Sequence, residues 1–334
     1  MNEFFASFST VLVSIITLII ITLIGWICVR FKLINDAAVD GLTRVLVDLV
    51  VPAKIMLIVA ANLNGNAIRS CAYMILAMLG LSIFAYVFAA LAVRIWRSKN
   101  ADEHRDRSII GMCLMHNSFF LPLPLALAVA PVGEKELASL YITSGYVILL
   151  AIQWTVGATL LSSSTKEISW KERLKPMLNL PLGGICLGIL LSQIPLVAQA
   201  ARGGEAPLLI SVPLGAAQVL GQALTPIAML VLGMMIAQCR LGKYLTVRSV
   251  GITVLFRLIV SPAVFLAGIL WFNLHVTHPI LALAMMIQAP MPPSTVVPII
   301  ARRFGGDWET ISATLLVTTV ISLFSIPLWI AFIL

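Results

Sequence analysis

Apolar runs of bilayer-crossing length follow one another along the chain, from "VLVSIITLIIITLIGWIC" to "LLVTTVISLFSIPLWIAFIL". A hydrocarbon core of ~30 Å takes about 20 residues of helix, and no water inside it completes the hydrogen bonding of a backbone. Helices meet that demand within a single run. The runs cover 8–29, 41–62, 71–93, 108–130, 138–161, 178–198, 213–238, 250–272, 279–300 and 311–333. The expected fold is an all-α polytopic membrane protein with ten transmembrane helices. Only 11% of residues are charged and 60% are hydrophobic. A soluble domain is about a quarter charged, so no stretch is left over for a soluble catalytic or nucleic-acid-binding module.

The net charge of +8 invites a polyanion partner, but its placement gives another reason for it. Basic residues gather in alternate loops: Arg30 and Lys32; Arg94, Arg97, Lys99, Arg105 and Arg107; Lys166, Lys171, Arg173 and Lys175; Arg240, Lys243 and Arg248; Arg302 and Arg303. The intervening loops hold only Arg69, Lys135 and Arg202. The positive-inside rule then makes the basic loops cytoplasmic and puts both termini outside. A nucleic-acid partner is not needed. Cys28, Cys71, Cys113, Cys186 and Cys239 are isolated in or beside apolar runs, which reads as packing and implies neither disulfides nor a metal site.

Ten spans divide into five and five, and a second copy of an odd-numbered unit enters the membrane from the opposite side. The expectation is an inverted repeat, residues 1–165 and 166–334. "LVVPAKIMLIVA" resembles "ALTPIAMLVLGMMIA", aligning Pro52 with Pro226. The fourth span, "MHNSFFLPLPLALA", and the ninth, "MIQAPMPPSTVVPIIA", each carry a carboxamide before Pro-x-Pro: Asn117 with Pro122 and Pro124, Gln288 with Pro290 and Pro292. A lone proline kink is ordinary in a membrane helix. Interruptions at matching places of two halves instead point to a transporter binding site near the midplane, where freed N–H groups and positive half-helix ends favour an anion. The two crossings also supply the hydroxyls of Ser118, Ser294 and Thr295.

Four further residues are candidates for coupling. Lys54 falls near mid-membrane, where an ammonium must face a cavity, pair with an acid such as Asp48, or snorkel. Arg44 and Asp48 are four apart and stack as a local ion pair, or Asp48 carries a proton beside Lys54. Arg257 either snorkels or contacts substrate. His116, next to Asn117, either packs or titrates. Gln153, Gln218 and Gln222 read as interhelical hydrogen-bond formers. No nucleophile and base, zinc-type spacing or phosphate loop is present, so neither enzyme chemistry nor a cofactor is expected.

Three segments, "LTRVLVDLVVPAKIM", "GQALTPIAMLVLGMMIA" and "APMPPSTVVPIIARRFGGDWETISATLLVTTVISLFSIPLWI", make the chain resemble the auxin efflux carrier family over nearly its whole length. Bacterial members of that family include malonate and malate permeases. Asn117, Leu123 and Pro124 fit the spacing of the family's first break, while Phe119 and Pro122 stand where glycines are common and narrow the room there. The resemblance implies two crossing broken helices, the fourth and ninth, in a mobile transport domain of helices 3, 4, 5, 8, 9 and 10. Helices 1, 2, 6 and 7 would form a scaffold through which members commonly dimerise. It implies a carrier in a bacterial inner membrane that moves a small organic anion, a mono- or dicarboxylate such as malonate, by elevator-type alternating access. Asn117, Gln288, Lys54, Pro124, Pro290, Pro292 and Ser294 would form the binding site, with Asp48, Lys54, His116 and Arg257 as coupling candidates. Two alternatives stand beside this: a sodium-coupled symporter of the bile-acid type, and a sensor that binds an anion without moving it. The crossings offer no carboxylate for sodium, which favours proton coupling or uniport.

Overall fold

The computed structural model describes residues 2–96, 102–162, 178, 180–238 and 245–333. The domain boundary expected at 165/166, Cys239, Arg97, Lys99, Lys166, Lys171, Arg173, Lys175, Arg240 and Lys243 lie outside the described residues. Among the described residues the secondary structure is helical, apart from one isolated backbone bridge. The helices are α1 (Asn2–Arg30), α2 (Asp36–Asn62), α3 (Gly65–Ile95), α4 (Glu103–Leu114), α5 (Pro122–Val129), α6 (Lys135–Leu161) and α7 (Leu180–Ser192). They continue as α8 (Pro195–Ala201), α9 (Leu208–Gln238), α10 (Val247–Trp271), α11 (Leu274–Thr277), α12 (Pro279–Gln288), α13 (Val297–Arg303) and α14 (Trp308–Ala331).

Six of these are long and apolar enough to cross a membrane, or seven if the bent pair α7 and α8 counts as one span. The fourth and ninth apolar runs fall short because each is split, into α4 and α5 and into α12 and α13. The sixth run is not the single straight span its composition suggests. It turns by 120° between Ser192 and Pro195, because Ile194 takes an extended conformation and Pro195 has no N–H with which to continue the helix.

Two close helix pairs organise the packing. α1 lies on the second half of α9, where a side chain at Gly25 would strike the Leu230 carbonyl and one at Gly233 the Thr22 carbonyl. α7 lies on α2 in the same manner: a Cβ at Gly184 would come 2.6 Å from the Pro52 oxygen, and one at Gly188 2.8 Å from the Met56 oxygen. Lipid tails are as apolar as leucine, so helix association here depends on such close backbone approach.

Three spans contain a π turn: Leu46–Val50 in α2, Gln153–Gly157 in α6 and Leu255–Val260 in α10. An i→i+5 bond inserts one residue and rotates the remainder of the helix. The first of these corrects the expected Arg44–Asp48 pair. Both side chains are exposed from the protein, and neither enters an ion pair among the described residues, because the π turn takes them out of the four-residue register.

Candidate functional site

The two interruptions meet. α4 ends at Leu114, α12 ends at Gln288, and the extended stretches beyond them pair antiparallel at His116 and Pro293. The Asn117 N–H donates to the Pro292 carbonyl at 2.8 Å, and the Ser294 N–H donates to the Met115 carbonyl at 2.9 Å. Both bonds come from the neighbours of the paired residues, so Pro293 occupies a position where no N–H is required. Pro122 and Val297 then open the second halves, with prolines in the first turn of each.

A cavity of about 280 Å³ lies against this junction. Asn117, Ser118, Ser294 and Thr295 give it a polar side, and Phe119, Tyr146 and Trp154 an aromatic one. Its opposite wall is Thr43, Leu46 and Val47 of α2 and Val231, Leu232 and Met235 of α9. A second cavity, of about 520 Å³, shares Leu232, Met235, Thr295 and Ile299 with the first and leads to Gln238, Arg302 and Glu309 at the helix ends. The Phe119 ring is 4.9 Å from that of Tyr146, so the side chain standing where a glycine is common fills part of the room beside the break.

The family of membrane transport proteins, the auxin efflux carriers, matches this sequence over residues 10–330. The chain belongs to that family. It is a membrane transporter and not an enzyme. A search among curated proteins returns no match.

In this transporter the residues singled out from sequence divide into three groups. Asn117 and Ser294 line the cavity; the Asn117 side-chain oxygen also accepts from the Leu121 N–H at 3.4 Å, and Ser294 Oγ from the Val296 N–H at 3.3 Å. Pro124, Pro290 and Pro292 shape the two breaks without lining the cavity. Gln288 and His116 are buried behind it: Gln288 Nε2 donates to the Ile142 carbonyl at 3.1 Å, and its Oε1 lies 3.3 Å from His116 Nε2. The glycine at 145 makes room for that amide, since a Cβ there would sit 2.8 Å from Gln288 Nε2.

Lys54 pairs with Glu136, not with Asp48: its Nζ lies 2.8 Å from Glu136 Oε1, and it does not line the cavity. Asp48 is exposed, within the π turn of α2. Arg257 does not snorkel. Ten residues past Val247, or roughly 15 Å at ~1.5 Å per residue, its side chain is fully buried. Nε donates to the Met291 carbonyl at 2.9 Å and Nη2 to the Ala289 carbonyl at 3.4 Å, while Ser261 Oγ donates to Ala289 at 2.8 Å.

Sequence reasoning missed Glu136, Tyr146 and Trp154. Leu46 and Val47 reach the cavity from the π turn of α2, Gln153 and Trp154 reach it from that of α6, and Arg257 sits on that of α10. A π turn leaves no composition signal, and π turns recur at functional sites.

Proposed function

We propose that this transporter carries a small organic anion by alternating access, binding it in the cavity beside the paired breaks. Arg257 carries the reading. Its guanidinium is fully buried at membrane depth and meets no carboxylate among the described residues, and its Nη1 has no hydrogen-bond partner. A buried charge without a counter-charge is costly, and an anion arriving at the junction offsets that cost. Asn117, Ser118, Ser294 and Thr295 supply the polar groups of the cavity itself, which Arg257 backs without lining.

The lining also supports a narrower substrate class than malonate. A dicarboxylate would set its second charge against Phe119, Tyr146 and Trp154, whereas a monocarboxylate with an apolar body would bury that body there. Polar groups in an otherwise apolar cavity then fix which end leads.

The ten-span, five-plus-five arrangement belongs to this proposal. It is supported by the reciprocal pairing of the first run with the seventh and the second with the sixth, and by the meeting of the fourth with the ninth. The expected scaffold is α1, α2, α7, α8 and α9, and the cavity is walled by α2 and α9 on one side and by the breaks and α6 on the other. Sliding one set past the other would expose that cavity to each side in turn. The basic loops support a bacterial inner-membrane topology with both termini outside, and dimerisation through the scaffold follows from the family resemblance.

Uptake into proteoliposomes tests the site. Asn117→Ala and Trp154→Ala should each lower uptake of benzoate at least tenfold while malonate is a poor substrate for the parent protein. Parent uptake of malonate as fast as that of benzoate would overturn the substrate class, and wild-type uptake by Asn117→Ala would overturn the site.

A further inference from the structure

We infer that Arg257 is a tethered coupling cation: it occupies the oxygen cluster at the second break that a mobile sodium ion would otherwise fill, so this carrier runs without sodium. The inference rests on the transport reading above but concerns a different place, the back of the break rather than its cavity.

The cluster arises from the prolines. α12 ends at Gln288, and the helical partner of the Ala289 carbonyl would be the N–H of residue 293, which is Pro293. The Ala289 carbonyl is therefore released in a buried setting at the negative end of a half-helix, the Met291 carbonyl lies in the non-helical stretch just beyond it, and Ser261 brings a hydroxyl to Ala289. Unwound carbonyls and half-helix C-terminal ends at mid-membrane are what carriers use to coordinate sodium. Here a guanidinium takes both carbonyls. The π turn Leu255–Val260 positions Arg257, Phe256 lies under it with its ring 5.8 Å away, and the side chain has no exposed surface through which to leave.

A cation that is part of the chain cannot be exchanged with the bath. The charge it contributes is present in every state of the cycle, so neither sodium binding nor sodium release limits transport. An arginine suits the task because a planar fork serves two carbonyls at once and stays ionised.

The test is a chemical rescue on the full-length protein. Arg257→Ala vacates the cluster, and guanidinium chloride at low millimolar concentration should raise the apparent melting temperature of that variant by several degrees while leaving the parent unmoved, because a ligand stabilises the state that binds it. Sodium chloride against choline chloride is the second arm of the same measurement. In proteoliposomes the parent should take up benzoate equally in sodium and in choline, and Arg257→Ala should lose at least tenfold and recover when guanidinium or sodium is added. Arg257→Lys, a conservative cation, should retain part of the parent rate in choline. Parent uptake that falls tenfold in choline, or a folded Arg257→Ala that neither cation stabilises or rescues, would overturn the inference. If Arg257→Ala does not fold, the choline comparison on the parent and on Arg257→Lys decides. The melting arm needs no substrate, so it remains informative even if the anion assignment fails.

Discussion

Lys54 and Arg257 look alike in the sequence, each a cation deep in an apolar run, and the folded chain gives them opposite surroundings. Lys54 joins α2 to α6 through Glu136, and the two side chains keep 15% and 47% of their surface exposed. Arg257 keeps none and is held by backbone carbonyls. An ammonium is a point charge that one carboxylate satisfies, whereas a guanidinium presents five donors in a plane and can serve a broken helix end directly. A helix interruption can thus be the partner of a buried charge, and the charge in turn makes the interruption tolerable.

The contrast is broken most severely at Arg257. Replacing it with alanine takes the side-chain donor from the buried Met291 carbonyl and leaves Ala289 with Ser261 Oγ alone, and should cost about 2–3 kcal/mol of stability, read as a large fall in melting temperature in detergent. Gln288→Leu comes next: it leaves the Ile142 carbonyl and His116 Nε2 without their partner, for about 1–2 kcal/mol. Lys54→Met should cost under ~1 kcal/mol, because its partner is half-exposed and such pairs contribute little. Glu136→Gln should match it, and the double variant should be no worse than either single one. Asp48→Asn should change neither stability nor uptake; a loss of uptake there would restore Asp48 as a coupling residue.

Much of the helical layout was legible because apolar length and proline chemistry act locally. "APMPPSTVVP" breaks where its prolines remove donors, whereas in "HNSFFLPLP" the helix has already ended at Leu114 and Pro122 opens the next one, and those two stretches meet. Proline alone did not say how far a helix would bend. Pro213 and Pro327 lie inside continuous helices, whereas Pro195 opens a new one after a 120° turn, where the preceding Ile194 is extended. The partner of Lys54 is 82 residues away on another helix, beyond any spacing rule. The burial of Arg257, and the arrival of Trp154 at the cavity, depend on π turns that rotate a helix without altering its composition.

The junction between the two interrupted runs is stitched by amide groups, from Asn117 to Pro292 and from Ser294 to Met115. No exchange of one ordinary side chain for another deletes those donors and acceptors; only proline at 117 or 294 would. The seam is therefore blind to most mutations, while the adjoining cavity is furnished by the side chains of Phe119, Tyr146 and Trp154, which a single substitution does change. Such a carrier can be retuned from one cargo to another by repainting one wall, with its central joint left untouched.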